Sequence, residues 1–156
     1  MDRPPTTKID EAKFAGFWIR VGAYFVDWAV LLIPWLLIQF LVRSIIPHPW
    51  YRPVEEYEAQ IGILSSIYGI LMMWIYYAVL HSSKWQASIG KKVLGLKVVD
   101  RNGNRISFGR ATGRFFAWVL SFLILGIGFM MIGWTKRKQG LHDIIADTYV
   151  IRSEEA

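Results

Sequence analysis

The apolar stretch that decides the fold runs from residue 21 to residue 42 and reads VGAYFVDWAVLLIPWLLIQFLV. It contains 22 residues and a single charged side chain, Asp27. A transmembrane helix needs about 20 mostly apolar residues to cross about 30 Å of hydrocarbon. The stretch therefore predicts a membrane span over about residues 19–42.

Two further apolar stretches lie downstream of the first. Residues 61–80 are 20 residues without a charge and predict a second span. Residues 115–135 are also uncharged, but Gly126, Gly128 and Gly133 interrupt their second half. We therefore expect an all-α membrane protein with two transmembrane helices plus a re-entrant hairpin or third span.

Composition agrees with a membrane protein. Hydrophobic residues make up 54% of the 156 residues, mean hydropathy is +0.31, and charged residues make up 19%, against about 25% in soluble domains. The chain has no cysteine, which excludes disulfides, thiolate metal sites and cysteine nucleophiles. We expect no cofactor and no metal site.

The distribution of basic residues predicts the orientation, because short cytoplasmic loops are enriched in Lys and Arg. Residues 81–114 hold eight basic residues against Asp100 alone, whereas residues 43–60 hold two basic and three acidic residues. We expect a multi-pass plasma-membrane protein with a cytoplasmic N-terminus. A single crossing by residues 115–135 would put the basic residues 136–138 outside, which favours a re-entrant hairpin over a plain third span.

The polar segments predict a small cytoplasmic β-sheet. Residues 94–108 contain Asn102-Gly103 between two extended patterns and predict a β-hairpin. Residues 148–151 are β-branched and aromatic and predict a third strand. We expect a disordered tail over residues 1–13, followed by a single domain over residues 14–152.

Four charged residues are candidates for an ion-binding or proton-coupling site. Asp27 lies within a span, where a carboxylate costs about 2.5–3.5 kcal/mol at the centre, and Arg20 lies on nearly the same helix face about 10 Å away. Asp143 and Asp147 lie four residues apart on a short predicted helix over residues 139–147. The alternative is a structural polar network that ties the first helix to the C-terminal region.

Lys91 and Lys92 are a separate pair of basic residues. Gly90-Lys91-Lys92 lacks the upstream Gly and the following Ser or Thr of a phosphate-binding loop. We expect these lysines to contact lipid headgroups or to set the membrane topology.

Three blocks of sequence resemble the RDD family of membrane proteins, which is named for one arginine and two aspartates. They are AGFWIR at 15–20 with the following Asp27, SIGKKVLGLKVVD at 88–100, and QGLHD at 139–143 with ADTYVI at 146–151. Arg20, Asp27 and Asp143 match the three residues that name the family. The resemblance covers about residues 14–152.

The resemblance implies an integral membrane protein, with transport as the usual suggestion, sodium/proton exchange for some members and complex assembly for others. We expect transport of a small cation coupled to protons, within a homo-oligomer because two or three membrane elements enclose no pathway. The alternative is a non-transporting scaffold or assembly factor in which the Arg and Asp residues form a structural clamp. Hydrolase, zinc and nucleic-acid motifs are absent from the sequence, so we expect no enzyme and no nucleic-acid partner.

Overall fold

The two longest apolar stretches form the two longest helices of the computed structural model, which describes residues 14–123 and 126–153. Helix α1 is Phe17–Ile45 and helix α2 is Val54–Ser82, each of 29 residues. Both are long and apolar enough to cross a membrane. The two predicted spans are therefore confirmed, and each helix extends beyond the predicted stretch at both ends. The predicted disordered tail, residues 1–13, lies outside the described residues.

Prolines and charges explain where these helices stop and start. Helix α1 ends at Ile45, two residues before Pro47, which cannot continue a helix. Helix α2 begins directly after Pro53, and its first turn carries Glu55 and Glu56. Acidic side chains in a first turn are favoured by the positive end of the helix dipole.

The remaining elements are shorter. In chain order they are α3 (Ile89–Val93), β1 (Leu96–Val99), α4 (Phe108–Leu123), α5 (Ile127–Trp134), α6 (Leu141–Ile145) and β2 (Tyr149–Arg152).

The sheet is present, but its strands pair differently from the predicted hairpin. Strand β1 pairs antiparallel with β2, from Leu96 opposite Arg152 to Val99 opposite Tyr149. The turn after β1 forms as expected, and the Asp100 carboxylate accepts hydrogen bonds from the backbone of Asn102 and Asn104.

The return arm of that hairpin is reduced to one bridge, between Val99 and Arg105. The Ser107 hydroxyl accepts a hydrogen bond from the backbone N–H of Arg110 and so caps the start of α4. The chain therefore turns into a helix where a second strand was predicted. A further bridge joins Phe14 to Ile151 on the other side of β2.

Helices α4 and α5 occupy the third apolar stretch. They meet at an angle of 96°, and Gly126 between them has a left-handed backbone with φ of 74°. A bend of this size agrees with either a re-entrant segment or a broken third span, as the glycines predicted.

The core lies in the polar end of the molecule rather than between the two spans. Only 11% and 17% of the residues in the apolar windows of α1 and α2 are buried, so these helices present most of their surface to lipid. The buried apolar cluster instead joins both long helices, the sheet and α4; it consists of Ala15, Ala23, Ala78, Leu96, Val98, Ile106, Ala111 and Val150. This end of the molecule, residues 83–123 and 126–153 with the adjoining ends of α1 and α2, is called the cap below.

Candidate functional site

Asp143 is the centre of a buried ion cluster in the cap. Its carboxylate accepts hydrogen bonds from the guanidinium groups of Arg20 and Arg114, and a third from the backbone N–H of Gly140 at 3.1 Å. All three charged side chains are at most 4% exposed. These residues, Arg20, Arg114 and Asp143, are called the Asp143 cluster.

Arg20 extends the Asp143 cluster to two other segments. Its Nε donates to the carbonyl of Ala15 at 3.0 Å, and its Nη2 donates to the carbonyl of Lys138 at 2.5 Å. One guanidinium therefore joins the start of α1 to α6 and to the segment that follows α5. A planar group with five donors suits such bidentate and shared recognition.

The local fold places Asp143 in this position. Asp143 is the third residue of α6, and its carboxylate reaches back to the N–H of Gly140 at the helix start. Gly140 is required there because an added Cβ would lie 2.9 Å from the carbonyl oxygen of Gly128 and 2.8 Å from the His142 ring. Thus the packing of α6 against α5 orients the Asp143 carboxylate toward Arg20 and Arg114.

The electrostatics of the Asp143 cluster favour the ionised carboxylate. Burial alone raises the pKa of Asp143, but the opposing effects of Arg114, His142 and Arg20 hold that pKa well below its usual range. The neighbouring His142 is 1% exposed, and burial lowers its pKa to about 3. At neutral pH the Asp143 cluster therefore contains two guanidinium cations and one carboxylate anion, and the neighbouring His142 imidazole is neutral.

Asp27 forms a second polar site, away from Arg20. Its Oδ1 accepts hydrogen bonds from the Tyr76 hydroxyl and from the backbone N–H of Gly90, both at 2.7 Å, and its Oδ2 accepts one from the Ser88 hydroxyl at 2.6 Å. Asp27 is fully buried. The carboxylate thus joins α1 to α2 and to the start of α3. Asp27, Tyr76, Ser88 and Gly90 are called the Asp27 site.

The structure corrects the expected relation between Arg20 and Asp27. The two residues were predicted to lie on nearly the same face of α1 within one candidate site, but Arg20 pairs with Asp143 and Asp27 pairs with the donors of the Asp27 site. The reason is that α3 packs closely against α1, so backbone and hydroxyl donors reach Asp27 directly.

Asp147 does not join Asp143. Helix α6 ends at Ile145, and Asp147 has a left-handed backbone with φ of 54°. Its carboxylate pairs with Arg101, which is 71% exposed. The prediction of one shared helix face was wrong because the helix is shorter than the 139–147 segment.

The two lysines of the central block have different environments. Lys91 is 1% exposed, and its Nζ lies 3.0 Å from Nε2 of His81. The prediction that Lys91 contacts lipid headgroups is therefore wrong, because the α3 backbone turns this side chain into the cap. Lys92 is exposed, and its Nζ lies 3.6 Å above the Trp85 ring, a position compatible with a headgroup.

Sequence reasoning missed several members of these sites. They are Arg114, Tyr76, Ser88, His81 and His142. Arg114 was counted among loop charges, although its position directly before an apolar stretch could have marked it as buried. The hydroxyl and imidazole groups carried no distinctive spacing. Among the described residues, no group of three or more His, Asp or Glu side chains is arranged to hold a metal ion.

Two spaces adjoin these sites. A groove of about 620 Å³ between α1 and α2 is lined largely by apolar and aromatic side chains, including Trp28, Trp35 and Met72. A smaller cavity of about 20 Å³ lies between the two polar sites and is lined by Lys91 and Arg114 among others.

Known proteins with similar sequences span nearly the whole chain. The RDD family matches residues 14–147. The protein YxaI of Bacillus subtilis (strain 168) is 42% identical over 149 residues, which cover 89% of this chain and 97% of YxaI. From the same organism, the uncharacterized membrane protein YteJ is 28% identical over 97% of this chain and 88% of its own length. YckC is 31% identical over 88% of this chain and 84% of its own length. No solved structure matches the chain significantly.

Proposed function

We propose that the Arg and Asp residues of this chain form a structural clamp. The chain belongs to the RDD family and is a membrane protein of that family. In this proposal the chain is a non-enzymatic scaffold or assembly factor of the plasma membrane. The clamp holds the folded cap against the two membrane spans. The protein then acts by contacting partner proteins rather than by transporting a cation.

The observation that carries this proposal is that both oxygens of each carboxylate already accept hydrogen bonds from the protein itself, three bonds at Asp143 and three at Asp27. Each oxygen of Asp143 accepts from an arginine, and each oxygen of Asp27 accepts from a hydroxyl or a backbone N–H. A cation site needs carboxylate and carbonyl oxygens whose lone pairs are free to coordinate. A cation at either carboxylate would have to displace those donors.

The surrounding charge argues in the same direction. Arg114 pairs with Asp143, and Lys91 directly follows Gly90, whose N–H bonds to Asp27; both basic side chains are buried. At short range in a low-dielectric interior a like charge strongly opposes an entering cation. The groove between the spans is lined mainly by apolar and aromatic side chains, Tyr24 and Tyr77 among them, and its described lining contains no charged side chain that would attract an ion.

Transport of a small cation coupled to protons remains the rival proposal. It is supported by the burial of Asp27 within a span, since an ionisable group at such depth suggests a function. In that mechanism Asp27 is the titrating carboxylate, Arg20 is its counter-charge and Asp143 collects ions at the mouth. It also requires a homo-oligomer, because the groove of one chain is open to lipid.

The orientation belongs to the same proposal. We propose that the N-terminus and the cap are cytoplasmic, because the eight basic residues of segment 81–114 lie in or beside the cap. A re-entrant arrangement of α4 and α5 is supported by their ends: Arg114 of α4 and the carbonyl of Lys138 after α5 both reach the Asp143 cluster. A complete crossing would separate these points by about 30 Å.

A flux assay separates the two proposals. Purified protein is reconstituted into liposomes that contain a pH-sensitive dye, and sodium, potassium or lithium is added outside. We expect no cation-dependent pH change from wild type, and a lower melting temperature and lower membrane accumulation for Asp27→Asn. The exposed Glu55→Gln is the matched control. A cation-driven pH change that Asp27→Asn abolishes while the variant melts like wild type would establish transport instead.

A further inference from the structure

The small cavity in the cap has an unusual lining. Its volume of about 20 Å³ exceeds the roughly 10–15 Å³ that one water-sized species needs, so it admits one such species. Two cationic side chains and two imidazoles meet there, with an otherwise aromatic wall. The lining residues are Tyr24, Tyr77, His81, Lys91, Ala111, Arg114, Phe115, Trp118 and His142.

Buried donors at this cavity lack partners. Arg114 uses Nη2 for Asp143, but its Nε and Nη1 have no hydrogen-bond partner among the described residues, and neither do the two ring nitrogens of His142. Arg114 is 3% exposed and His142 is 1% exposed. An unmet donor on a buried cation costs more than one on a neutral group, so Nε and Nη1 of Arg114 call for a ligand that accepts hydrogen bonds. The neutral His142 ring has one donor and one acceptor nitrogen, and its Nε2 lies 3.5 Å from Oδ1 of Asp143.

With Lys91 protonated, the charges around the cavity sum to an excess of one cation, and no carboxylate among the described residues lines the cavity to balance it. Arg20, Lys91 and Arg114 are buried beside Asp27 and Asp143, and both carboxylates are committed to other donors. Burial, followed by repulsion from Arg114, lowers the pKa of Lys91 well below its usual value. The Lys91 ammonium faces only the His81 imidazole at 3.0 Å and the rings of Tyr24 and Tyr77, at 5.3 and 5.8 Å.

We propose that this cavity binds one small monovalent anion of the chloride class, held between Arg114 and Lys91. A monoatomic anion fits the volume, accepts from the unmet donors of Arg114, and balances the excess charge. A water molecule meets the first two conditions but gives the Lys91 ammonium no counter-ion, so it suits only a neutral Lys91, whereas an anion stabilises the protonated form. A cation meets none of them. The anion therefore stabilises the folded cap. This role does not depend on whether the protein acts as an assembly factor.

Thermal unfolding in lipid nanodiscs tests the anion site with the full chain. Chloride replaces gluconate stepwise at constant ionic strength, and the melting temperature is followed by intrinsic fluorescence. A ligand that binds only the folded state raises the melting temperature with the logarithm of its concentration above its Kd. We expect that logarithmic, saturable rise with chloride and with bromide, by several degrees. Sulfate stabilises folded proteins generally because it is excluded from their surface, so we expect it to raise the melting temperature in proportion to its concentration.

Matched variants locate the effect. Lys91→Met removes the buried ammonium and keeps the length of the side chain, whereas Lys92→Met makes the same change at the adjacent exposed position. We expect Lys91→Met to lose the chloride dependence and Lys92→Met to retain it. Chloride dependence that persists in Lys91→Met would overturn the assignment of the site.

The wild-type anion series decides the question even if Lys91→Met does not fold. Equal melting temperatures in chloride and gluconate would show that the cavity holds water or nothing, and would overturn the proposal. A rise with chloride that is proportional to concentration, like that with sulfate, would mean a general salt effect, with the same consequence. Neither result bears on cation flux, so the two proposals fail separately.

Discussion

The backbone N–H of Gly90 donates a 2.7 Å hydrogen bond to the buried carboxylate of Asp27, across 63 positions of sequence. This contact exists because α3 approaches α1 so closely that no side chain fits between them. A Cβ on Gly90 would overlap the carbonyl oxygen of Ala23 and lie 3.0 Å from the Asp27 carboxyl carbon. The glycine is therefore a requirement of the Asp27 site.

We predict that Gly90→Ala destabilises the protein. The added methyl must push α3 away from α1, which lengthens the bond to Asp27, and overpacking of this kind costs about 1–3 kcal/mol. We expect a melting temperature several degrees lower in nanodiscs. Gly109→Ala is the control, because a Cβ at Gly109 meets nothing within 4 Å. Equal melting of the two variants would contradict the close approach.

Much of this architecture follows from the sequence. The two long apolar stretches predict helices, because a single segment in lipid can satisfy its backbone hydrogen bonds only as a helix. The glycines at 126 and 128 predicted the bend between α4 and α5, and the β-branched residues near 150 predicted a strand. These features depend on local composition, which a single sequence contains.

The pairing of charges could not be predicted in the same way. Arg20 is seven residues from Asp27 and 123 from Asp143, yet it pairs with the distant carboxylate. The partner of Arg20 depends on how α6 and α3 pack against α1, and the spacing of residues along the sequence does not predict that packing. Lys91 was similarly indistinguishable from its neighbours, because positive charge in a cytoplasmic loop and positive charge in a buried cavity look alike in sequence.

We predict that Asp143→Asn is far more harmful than Asp147→Asn. Removing the Asp143 charge leaves Arg20 and Arg114 buried without a counter-ion, and breaking a buried pair in this way costs about 3–5 kcal/mol. Asp147 pairs with an exposed Arg101, and such surface pairs contribute about 0–1 kcal/mol. Membrane accumulation and the melting temperature measure both variants. Comparable losses would mean that the Asp143 cluster does not stabilise the cap.

We predict that stability falls as the pH is lowered from about 6.5 to 3, because of His142. Burial lowers its folded-state pKa to about 3, whereas an unfolded histidine titrates near 6.5. Between these two pKa values the histidine is protonated in the unfolded chain but not in the folded chain. The free energy of unfolding therefore falls by up to about 1.4 kcal/mol for each pH unit of acidification. The charged groups that act on His142 are Asp143, Arg114, Arg20 and Lys91.

The measurement is the melting temperature against pH in gluconate, which keeps anion binding out of the comparison. His142→Gln should reduce the slope over this window, and the buried His81 at the same cavity should account for part of the slope that remains. The control is His48→Gln, since His48 is exposed in the loop between α1 and α2 and should leave the slope unchanged. An unchanged slope in His142→Gln would assign the acid sensitivity to another group.

We predict that Arg110 and Lys136 lie on the same side of the membrane, opposite Glu55. The chain leaves the Asp143 cluster at Arg114 and returns to it at Lys138, so we expect helices α4 and α5 to enter and leave the membrane by the same face. Because the native chain has no cysteine, single cysteines at these three exposed positions can be labelled without a background. With an impermeant maleimide on intact cells, we expect labelling at position 55 only, and at all three after permeabilisation. Labelling of positions 55 and 136 together on intact cells would instead make α4 and α5 one bent third span, and would require Lys138 to release Arg20 in the membrane.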